Sequence, residues 1–460
     1  MMRIHFLLAL AYFFAIGSLF GQSHIWTGNG GDQDWFNAAN WSANTVPGPS
    51  SDVVIDNNFV VQVNTQPVIV ANISLIDNAS LTLGTDFTAI EQFLIESDAS
   101  LVWNSGGFIG GAIIQNNGGI LMASTSEKHL TGANLENNGA IYIISIGFLR
   151  LIDSPKITNT STGIFEINGS GNLSHQSGNP IFDNEGLIRK LGGANAGSSY
   201  MITKMNNRGI IDVGENQSLL FLSALAELNN LETGTLSGTG TFDVTAPFVT
   251  PGTISPGSGD VGTLGFLNNF NLSPQTKLRF DIFGPNSGEY DVIAVTGFPD
   301  LDGEILIRLT YTPTIGDEFT IITASEINSC NFPAQVTSTI GTGPQFLFDV
   351  ICENTFVKLR VVEEVLDVTD FSSEEYAFYV QPNPASETIN IVFNASEGVR
   401  FPTHNLSLSL YNVLGQKVKT IENFSEEKTS FQRGDLSSGM YFIQLNSEEK
   451  ALATTKLILK

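Results

Sequence analysis

The acidic residues that could do chemistry in this chain are scattered rather than clustered. Five aspartates are spread through its middle part, mostly near turns, namely Asp77, Asp98, Asp153, Asp183 and Asp212. Cleavage of a polysaccharide needs a Lys or Arg base beside grouped carboxylates, which often bind calcium. None of the five aspartates has a basic residue two positions away. The spacing therefore predicts no catalytic residue among them.

The histidines and the short acidic motif near the N-terminus give no stronger signal. His129 and His175 have no nucleophile motif around them, so we expect satisfied surface residues. The sequence has no G-x-S-x-G motif, no glycine-rich phosphate loop before a helix and no H-E-x-x-H motif. Asp32-Gln33-Asp34 could hold calcium, but a turn is favoured. We predict no enzyme, no metal and no cofactor.

The charge and the cysteines limit partners and compartment. The 460 residues include 46 acidic and 21 basic ones, a net charge of -25. Nucleic acid is excluded as a partner because its phosphates must be met by Lys and Arg. An anionic membrane surface is disfavoured for the same reason. Cys330 and Cys352 are close in sequence and could form one disulfide in an oxidising compartment.

The first 21 residues have the pattern of a secretory signal peptide. Met1-Met2-Arg3 is followed by an apolar run from Phe6 to Phe20, and polar sequence begins at Gly21-Gln22. The run is shorter than a membrane span, which makes an uncleaved anchor the less favoured alternative. The pattern predicts residues 1–21 to be a signal peptide cleaved after Gly21, and export through the periplasm.

A repeated Asn-Gly unit is the main structural signal. The glycines at 118, 139, 163, 186, 209 and 234 are separated by 21, 24, 23, 23 and 25 residues, each with an Asn two to four positions before it and aliphatic residues after it. This period predicts an all-β fold, a right-handed parallel β-helix over residues 59–250, rather than an antiparallel sandwich. We expect Asn and Gly to take left-handed backbone conformations at the corners, and asparagine side chains to hydrogen-bond from coil to coil.

The segment 22–58 is predicted to cap this solenoid. Trp26, Trp35 and Trp41 lie here among polar residues. Exposed rings would make a sugar-binding platform, whereas rings that plug the first coil would be buried, and the plug is favoured. The segment resembles the openings of many large surface proteins of the Bacteroidota.

Residues 251–362 form a β-rich region with a different pattern. Alternation at Leu278 to Ile282 is typical of a half-buried strand, and more strands are predicted at 292–295, 304–307 and 318–322. From about 250 to 325 the order is similar to the C-terminal portion of autotransporter-like passenger domains, themselves β-helices. The resemblance implies that the solenoid continues but assigns no chemistry.

After an acidic linker at 363–377, residues 378–460 are predicted to form a small antiparallel sandwich. Three motifs stand out, 382–386 (PNPAS), 410–418 (LYNVLGQKV) and 436–441 (LSSGMY), followed by a closing 456–460. They resemble the type A C-terminal sorting domain of the type IX secretion system. The matching residues singled out are Pro382, Asn383, Pro384, Tyr411, Gly415, Gly439, Tyr441 and Lys460.

The resemblance implies partners and a destination. The type IX secretion machinery would carry the chain across the outer membrane, and a sortase-like peptidase would remove the sorting domain within the linker. The cargo would then be released or attached to surface lipopolysaccharide.

Two functions remain for the solenoid itself. The favoured one is a non-catalytic adhesin or matrix component that binds a carbohydrate or a host or matrix ligand. The alternative is a polysaccharide-acting β-helix enzyme, a lyase or a glycoside hydrolase. A row of exposed carboxylates with Lys or Arg would favour the enzyme, and a smooth face of Asn, Thr and Ser the adhesin.

Overall fold

The computed structural model describes residues 22–144, 147–192, 197–245, 248–268, 270–338, 345–365, 376–395, 406–422, 428–447 and 450–460. The predicted signal peptide, residues 1–21, lies outside these ranges. The chain divides into two compact units, Met1–Val365 and Leu366–Lys460. Within the described residues the only helix is the short 3-10 helix Ala38–Asn40, and no helix is long and apolar enough to cross a membrane.

The first unit is a parallel β-solenoid. Its first coils use strand Gln22–Ile25 and the longer strands Ser51–Ile55, Val68–Leu75 and Phe87–Ile95, which pair in parallel. Phe87–Ile95 pairs with two strands of the next coil, Gly106–Ile109 and Ile113–Asn116. From there each coil has three sides, called faces 1, 2 and 3 in chain order.

Face 1 contains ten strands. The first four belong to one sheet and the last six to another, and a single bridge between Leu173 and Met201 joins the two. These strands are Gly106–Ile109, Lys128–Thr131, Phe148–Ile152, Asn172–His175, Ser198–Tyr200, Ser218–Phe221, Thr241–Val244, Thr263–Leu267, Val292–Val295 and Glu318–Thr323. Face 2 contains Ile113–Asn116, Asn134–Asn137, Lys156–Asn159, Ile181–Asn184, Lys204–Asn207, Leu228–Asn230 and Phe248–Val249. The pair Asp300–Leu301 and Ser329–Cys330 forms a separate two-stranded sheet.

Face 3 is an unbranched parallel sheet of 12 strands. They are Val60–Val63, Ser80–Leu83, Ser100–Trp103, Gly119–Met122, Ala140–Ile143, Ile164–Asn168, Leu187–Leu191, Ile210–Val213, Thr235–Gly238, Thr253–Pro256, Lys277–Ile282 and Glu304–Leu309. The predicted parallel β-helix is therefore present. Its parallel pairing is not limited to residues 59–250, since it begins at Gln22 and continues to Cys330.

The corner between faces 2 and 3 is lined by six stacked asparagines, the asparagine ladder: Asn116, Asn137, Asn159, Asn184, Asn207 and Asn230. All six are fully buried. Each Nδ2 group donates to the Oδ1 atom of the next asparagine at 2.6 to 2.8 Å, and Asn230 donates to Thr250 Oγ1 at 3.2 Å. The predicted coil-to-coil hydrogen bonding is confirmed.

The prediction of left-handed backbone conformations at this corner is wrong. Positive φ occurs at other turns, including Asn57, Asn58 and Asp77, but not at the glycines or asparagines of the ladder corner. The glycines are needed because neighbouring coils approach closely. A Cβ atom at Gly139 would lie 2.1 Å from the carbonyl oxygen of Gly118, and one at Gly118 would lie 2.2 Å from that of Ala99.

The C-terminal end of the first unit is antiparallel. Phe356–Val365 pairs with Glu318–Thr323 and with Gln345–Cys352, which pairs with Gln335–Thr337. This arrangement covers the edge of the last face 1 strand, which would otherwise offer unpaired backbone groups. Of the predicted linker, 363–377, residues 366–375 lie outside the described residues. Residues 363–365 end one strand and residues 376–377 begin another.

The second unit is an antiparallel sandwich, as predicted. One sheet contains Tyr376–Gln381, Thr388–Ala395 and Lys428–Gln432, and the other contains Leu406–Asn412, Lys417–Glu422, Gly439–Ser447 and Lys450–Leu459. Ile389, Ile391, Leu408, Leu445 and Leu457 form part of one core between the two sheets.

Candidate functional site

A row of charged side chains crosses face 3. Glu166, Arg189 and Asp212 are register partners on three successive strands. Arg189 Nη1 lies 4.0 Å from Glu166 Oε2, and Arg189 Nε lies 3.6 Å from Asp212 Oδ2. We call this set the charged row. One guanidinium therefore bridges two carboxylates that belong to different coils.

The surroundings of the charged row satisfy both carboxylates further. Asn168 Nδ2 donates to Glu166 Oε1 at 2.6 Å, and Ser237 Oγ donates to Asp212 at 3.3 Å. An acid/base pair needs two carboxylates in contrasting environments, so that one keeps its proton and the other loses it. Here both carboxylates share one cation and have additional donors. The geometry favours fixed charges over proton transfer.

Sequence reasoning missed Glu166 and Arg189, although a signal for them exists. The three residues are separated by 23 and 23 positions, which is the period of the corner glycines. Residues one period apart stack on neighbouring coils of a solenoid. A search for ionisable residues at the repeat spacing, rather than at two-residue spacing, would have found the row.

A second row of side chains, the polar row, follows face 2. Its members occupy one position on each of six successive strands: Gln115, Glu136, Thr158, Asp183, Asn206 and Asn229. Asn229 donates to Asn206 Oδ1 at 3.1 Å and Asn206 donates to Asp183 Oδ1 at 2.8 Å, while Lys156 Nζ lies 2.9 Å from Asp183. These contacts hold neighbouring side chains in register along the coils.

Asp183 keeps its negative charge in this row. Burial raises the pKa of its carboxyl, but the hydrogen bonds from Asn206 and Lys156 and the Lys156 charge outweigh burial. The pKa is therefore lowered. This carboxylate is suited to accepting hydrogen bonds rather than to donating a proton.

The remaining aspartates singled out from the sequence are not brought together. Asp77 and Asp153 lie in turns with positive φ, and Asp98 lies in another turn. Asp153 Oδ1 accepts a hydrogen bond from Ser177 Oγ at 2.8 Å. Only Asp183 and Asp212 belong to the two rows.

The two histidines have partners that link coils or close turns. His129 Nε2 lies 3.0 Å from Asp86 Oδ1, and His129 Nδ1 lies 3.0 Å from Thr131 Oγ1. Its imidazole reaches Asp86 across Gly107, where a Cβ atom would lie 2.3 Å from Nδ1. His175 Nε2 lies 2.9 Å from the carbonyl oxygen of Gly178.

The tryptophans of the N-terminal segment are buried. Trp26, Trp35 and Trp41 expose 2%, 0% and 1% of their surface. Trp41 packs edge-to-face on Trp26 and Trp35 with ring centroids 4.9 and 4.8 Å apart, and its Nε1 donates to Trp35 O at 2.7 Å. The rings plug the solenoid, so they offer no platform for a sugar.

The acidic motif beside these rings is a turn. Asn40 Nδ2 and Asn37 Nδ2 donate to the two Asp32 carboxylate oxygens at 2.7 and 2.8 Å. These hydrogen bonds, with one from the Asp34 backbone, lower the pKa of Asp32. In the described ranges no group of three or more His, Cys, Asp or Glu side chains is arranged to hold a metal ion.

The two cysteines are joined by a disulfide. Cys330 ends the short strand Ser329–Cys330, and Cys352 ends Gln345–Cys352. The bond spans 22 positions and joins a short parallel strand to the antiparallel end of the first unit.

In the second unit, Asn383 fastens the last strand of the chain. Its Nδ2 donates to Lys456 O at 2.8 Å, and its Oδ1 accepts from Ile458 N–H at 2.9 Å. The neighbouring residues continue the pairing, since Ala385 N–H donates to Ile458 O at 2.8 Å and Lys460 N–H donates to Ala385 O at 2.9 Å. Pro382 and Pro384 flank Asn383 and are exposed. The first motif and the closing residues thus form one structure.

A second fastening comes from Arg433, which sequence reasoning missed. Its guanidinium donates to Leu436 O at 2.8 Å, to Ser438 Oγ at 2.9 Å and to Ser386 O at 3.4 Å. It also donates to Lys460 O. One side chain therefore ties the first motif, the third motif and the chain end. A lone arginine in a loop has no local pattern that reveals this role.

The other motif residues shape turns. Asn412 Oδ1 accepts from Leu414 N–H and Gln416 N–H at 3.0 and 2.9 Å, and Gly415 has φ 73°, which favours glycine. The Tyr411 hydroxyl lies 3.3 Å from Gln444 Oε1. Gly439 has φ 149°, and the buried Tyr441 donates its hydroxyl to Ser437 O at 2.9 Å.

The comparison with known proteins concerns this second unit. Residues 379–460 match the family model of the secretion system C-terminal sorting domain. No curated protein sequence matches the chain. The match spans the three motifs and the closing residues whose contacts are described above. Residues 379–460 are a type IX secretion C-terminal sorting domain, and the chain is exported across the outer membrane to the cell surface or the medium.

Proposed function

We propose that the exported solenoid is a non-catalytic binding protein, an adhesin or a matrix component. The polar row of face 2 carries this proposal, because it presents one hydrogen-bonding side chain per coil in fixed register. Side chains already held by hydrogen bonds lose little conformational entropy when a ligand binds. A repeating polymer would meet a repeating surface, so that weak contacts add along its length.

Delivery and anchoring complete the proposal. The type IX machinery engages residues 379–460, and a sortase-like peptidase cuts in the segment before this domain. The released solenoid is attached to surface lipopolysaccharide or leaves the cell. Intact-mass measurement of the exported protein tests this step: a mass that still includes residues 379–460 would contradict removal.

The function itself is tested with the exported protein and a panel of extracellular polysaccharides and matrix proteins. Binding is measured by cosedimentation, and the polymer is then analysed for chain length and new ends. We expect retention of the protein on at least one polymer whose chain length does not change. Absence of binding to every member of a broad panel, or shortening of the polymer, would contradict the proposal.

The charged row favours a second candidate function. Two largely buried carboxylates on either side of a cation on face 3 resemble the equipment of a polysaccharide-acting enzyme. If the polymer is shortened, Glu166→Gln and Asp212→Asn would each abolish cleavage, with Asp77→Asn, in a turn outside both rows, as the matched control. Cleavage that survives both substitutions would rule out this row as the active site.

A further inference from the structure

Two aromatic side chains stand exposed in one row on face 1. Phe148 and Tyr200 expose 46% and 44% of their surface. Phe148 is the register partner of Asn172, and the bridge between Leu173 and Met201 places Tyr200 on the other side of Asn172. The two aromatic positions are thus two strand spacings apart, about 9.6 Å. A large exposed ring is unfavourable in water, and two in one row mark a surface that binds something.

The residue between the rings is polar and fixed. Asn172 Oδ1 accepts a hydrogen bond from Tyr200 N–H at 2.7 Å, which orients the amide. Among the described residues its Nδ2 group makes no hydrogen bond, so it remains a donor for a ligand. The row therefore alternates an aromatic ring, an amide and a second ring along the solenoid axis.

The charge of Arg150, next to the two rings, is paired. Arg150 lies beside Phe148 on the same strand, and its guanidinium lies 2.6 Å from Glu127 and donates to Gln176 Oε1 at 3.1 Å. Ser174, the register partner of Arg150, has a buried hydroxyl group that a ligand on this surface would not reach. The surface has polar groups around the rings but no unpaired charge from Arg150.

We propose that Phe148, Asn172 and Tyr200 form a binding platform for an extended, uncharged polysaccharide. The apolar face of a sugar ring stacks on each aromatic side chain, and the spacing of the rings suits about two sugar units of an extended chain. The Asn172 amide donates a hydrogen bond to a sugar hydroxyl between the two rings. The protein's net charge of -25 repels polyanions, which selects an uncharged polymer.

This inference deepens the proposed binding function and rests on it. The experiment compares the full exported protein with Phe148→Ala, Tyr200→Ala and the double variant. Cellulose, chitin, xylan and a soluble β-glucan are the uncharged probes, and alginate and pectin the acidic ones. Tyr142→Ala is the matched control, because Tyr142 exposes 36% of its surface on face 3, outside the platform.

We expect binding to at least one uncharged polymer, roughly tenfold weaker for each single variant and lost in the double variant, with Tyr142→Ala unchanged. Binding that the double variant retains would overturn the platform and leave the adhesive function standing. Binding confined to acidic polymers or to proteins would overturn the ligand class. No binding by the unaltered protein would contradict the adhesive function itself. Unchanged thermal unfolding of the variants shows that the loss is not due to misfolding.

Discussion

The solenoid and the sorting domain are both β-structures, but they are held together by different kinds of contact. In the solenoid, each coil repeats the contacts of the coil before it, and the asparagine ladder repeats one hydrogen bond five times from Asn116 to Asn230. In the sorting domain, single side chains join distant parts of the sequence. Asn383 bonds to residues 73 and 75 positions away.

The two regions also differ in charge. Residues 379–460 contain eight acidic and eight basic residues, whereas the rest of the chain contains 38 acidic and 13 basic ones. A neutral, self-closed domain can be bound by the same machine whatever cargo precedes it. A solenoid of repeated coils can change its surface residues without changing its fold. The comparison teaches that address and cargo are specified separately in this chain.

The largest expected effect comes from filling the corner of the solenoid. Gly118→Ala places a Cβ atom 2.2 Å from Ala99 O and 2.3 Å from Glu96 O, both backbone atoms that cannot move independently of their coil. We expect a loss of more than about 3 kcal/mol in the free energy of unfolding of the first unit. Chemical denaturation followed by far-UV circular dichroism measures it.

The adjacent glycine is the matched control for this substitution. A Cβ atom at Gly119 meets nothing within 4 Å. Gly119→Ala is expected to leave stability nearly unchanged. Equal effects at the two positions would show that coil-to-coil approach does not limit this corner.

The second effect removes one rung of the asparagine ladder. Asn159→Ala leaves the buried Asn137 Nδ2 with only one of its two acceptors, Ile164 O, and the buried Asn184 Oδ1 without its donor. We expect a loss of about 3 kcal/mol in the same denaturation measurement. Asn116→Ala is the comparison, because Asn116 is the end rung, its Oδ1 has no partner, and its neighbour in the previous coil is Ile95. If Asn116→Ala lowers the free energy of unfolding as much as Asn159→Ala does, the ladder is not stabilised by hydrogen bonds on both sides of each asparagine.

The third effect is a pH dependence of stability that is expected in the first unit, which contains Asp291. Asp291 is fully buried, and burial raises the pKa of its carboxyl to about 7, from 3.8. The folded state therefore prefers the protonated form, and this contribution to stability, present below pH 3.8, is lost as the pH rises towards 7. Asp291→Asn should flatten the fall in the denaturation midpoint of the first unit between about pH 4 and about pH 7.

A control with the opposite electrostatics accompanies that measurement. Hydrogen bonds from Gln335 and Arg360 lower the pKa of the half-buried Asp349, so Asp349→Asn should leave the fall in stability between about pH 4 and about pH 7 intact. The account of Asp291 fails if its variant declines with pH as steeply as the unaltered protein.

The smallest effect concerns the sorting domain. Arg433→Ala removes the contacts to Ser386, Leu436, Ser438 and Lys460. Because these groups are partly exposed, we expect a loss of only about 1–2 kcal/mol in the unfolding of the second unit and none in the first. Protease resistance of the two units, read by mass, measures it, with Lys417→Ala as control. Destabilisation of the solenoid by Arg433→Ala would contradict separate specification.

Sequence reasoning succeeded where information is periodic. The spacing of Gly118, Gly139 and Gly163 predicted the solenoid, and their preceding asparagines predicted the ladder, because every coil repeats the same local requirement. The reason for the glycines was wrong, since the distance between coils is not visible in one coil. Arg189 lay between Glu166 and Asp212 at the repeat period, but recognising it needs the strand register.

The aromatic platform could not be predicted from the sequence, because the repeat length changes between its residues. Phe148 and Asn172 are 24 residues apart, but Asn172 and Tyr200 are 28 apart. The aromatic platform therefore emerges only when the pairing of Leu173 with Met201 is known. In the sorting domain, the motifs could be identified one by one, whereas the joining of Ser386 and Lys460 by Arg433 depends on the closed sandwich.

The most direct test of separate address and cargo is the location of three chains in the native bacterium, measured by immunoblot of periplasm, cell surface and medium. The chains are the full protein, the protein without residues 379–460, and an unrelated periplasmic protein followed by residues 366–460. We predict that the first and third reach the surface or the medium and that the second stays in the periplasm. Export of the second chain, or periplasmic retention of the third, would contradict the account.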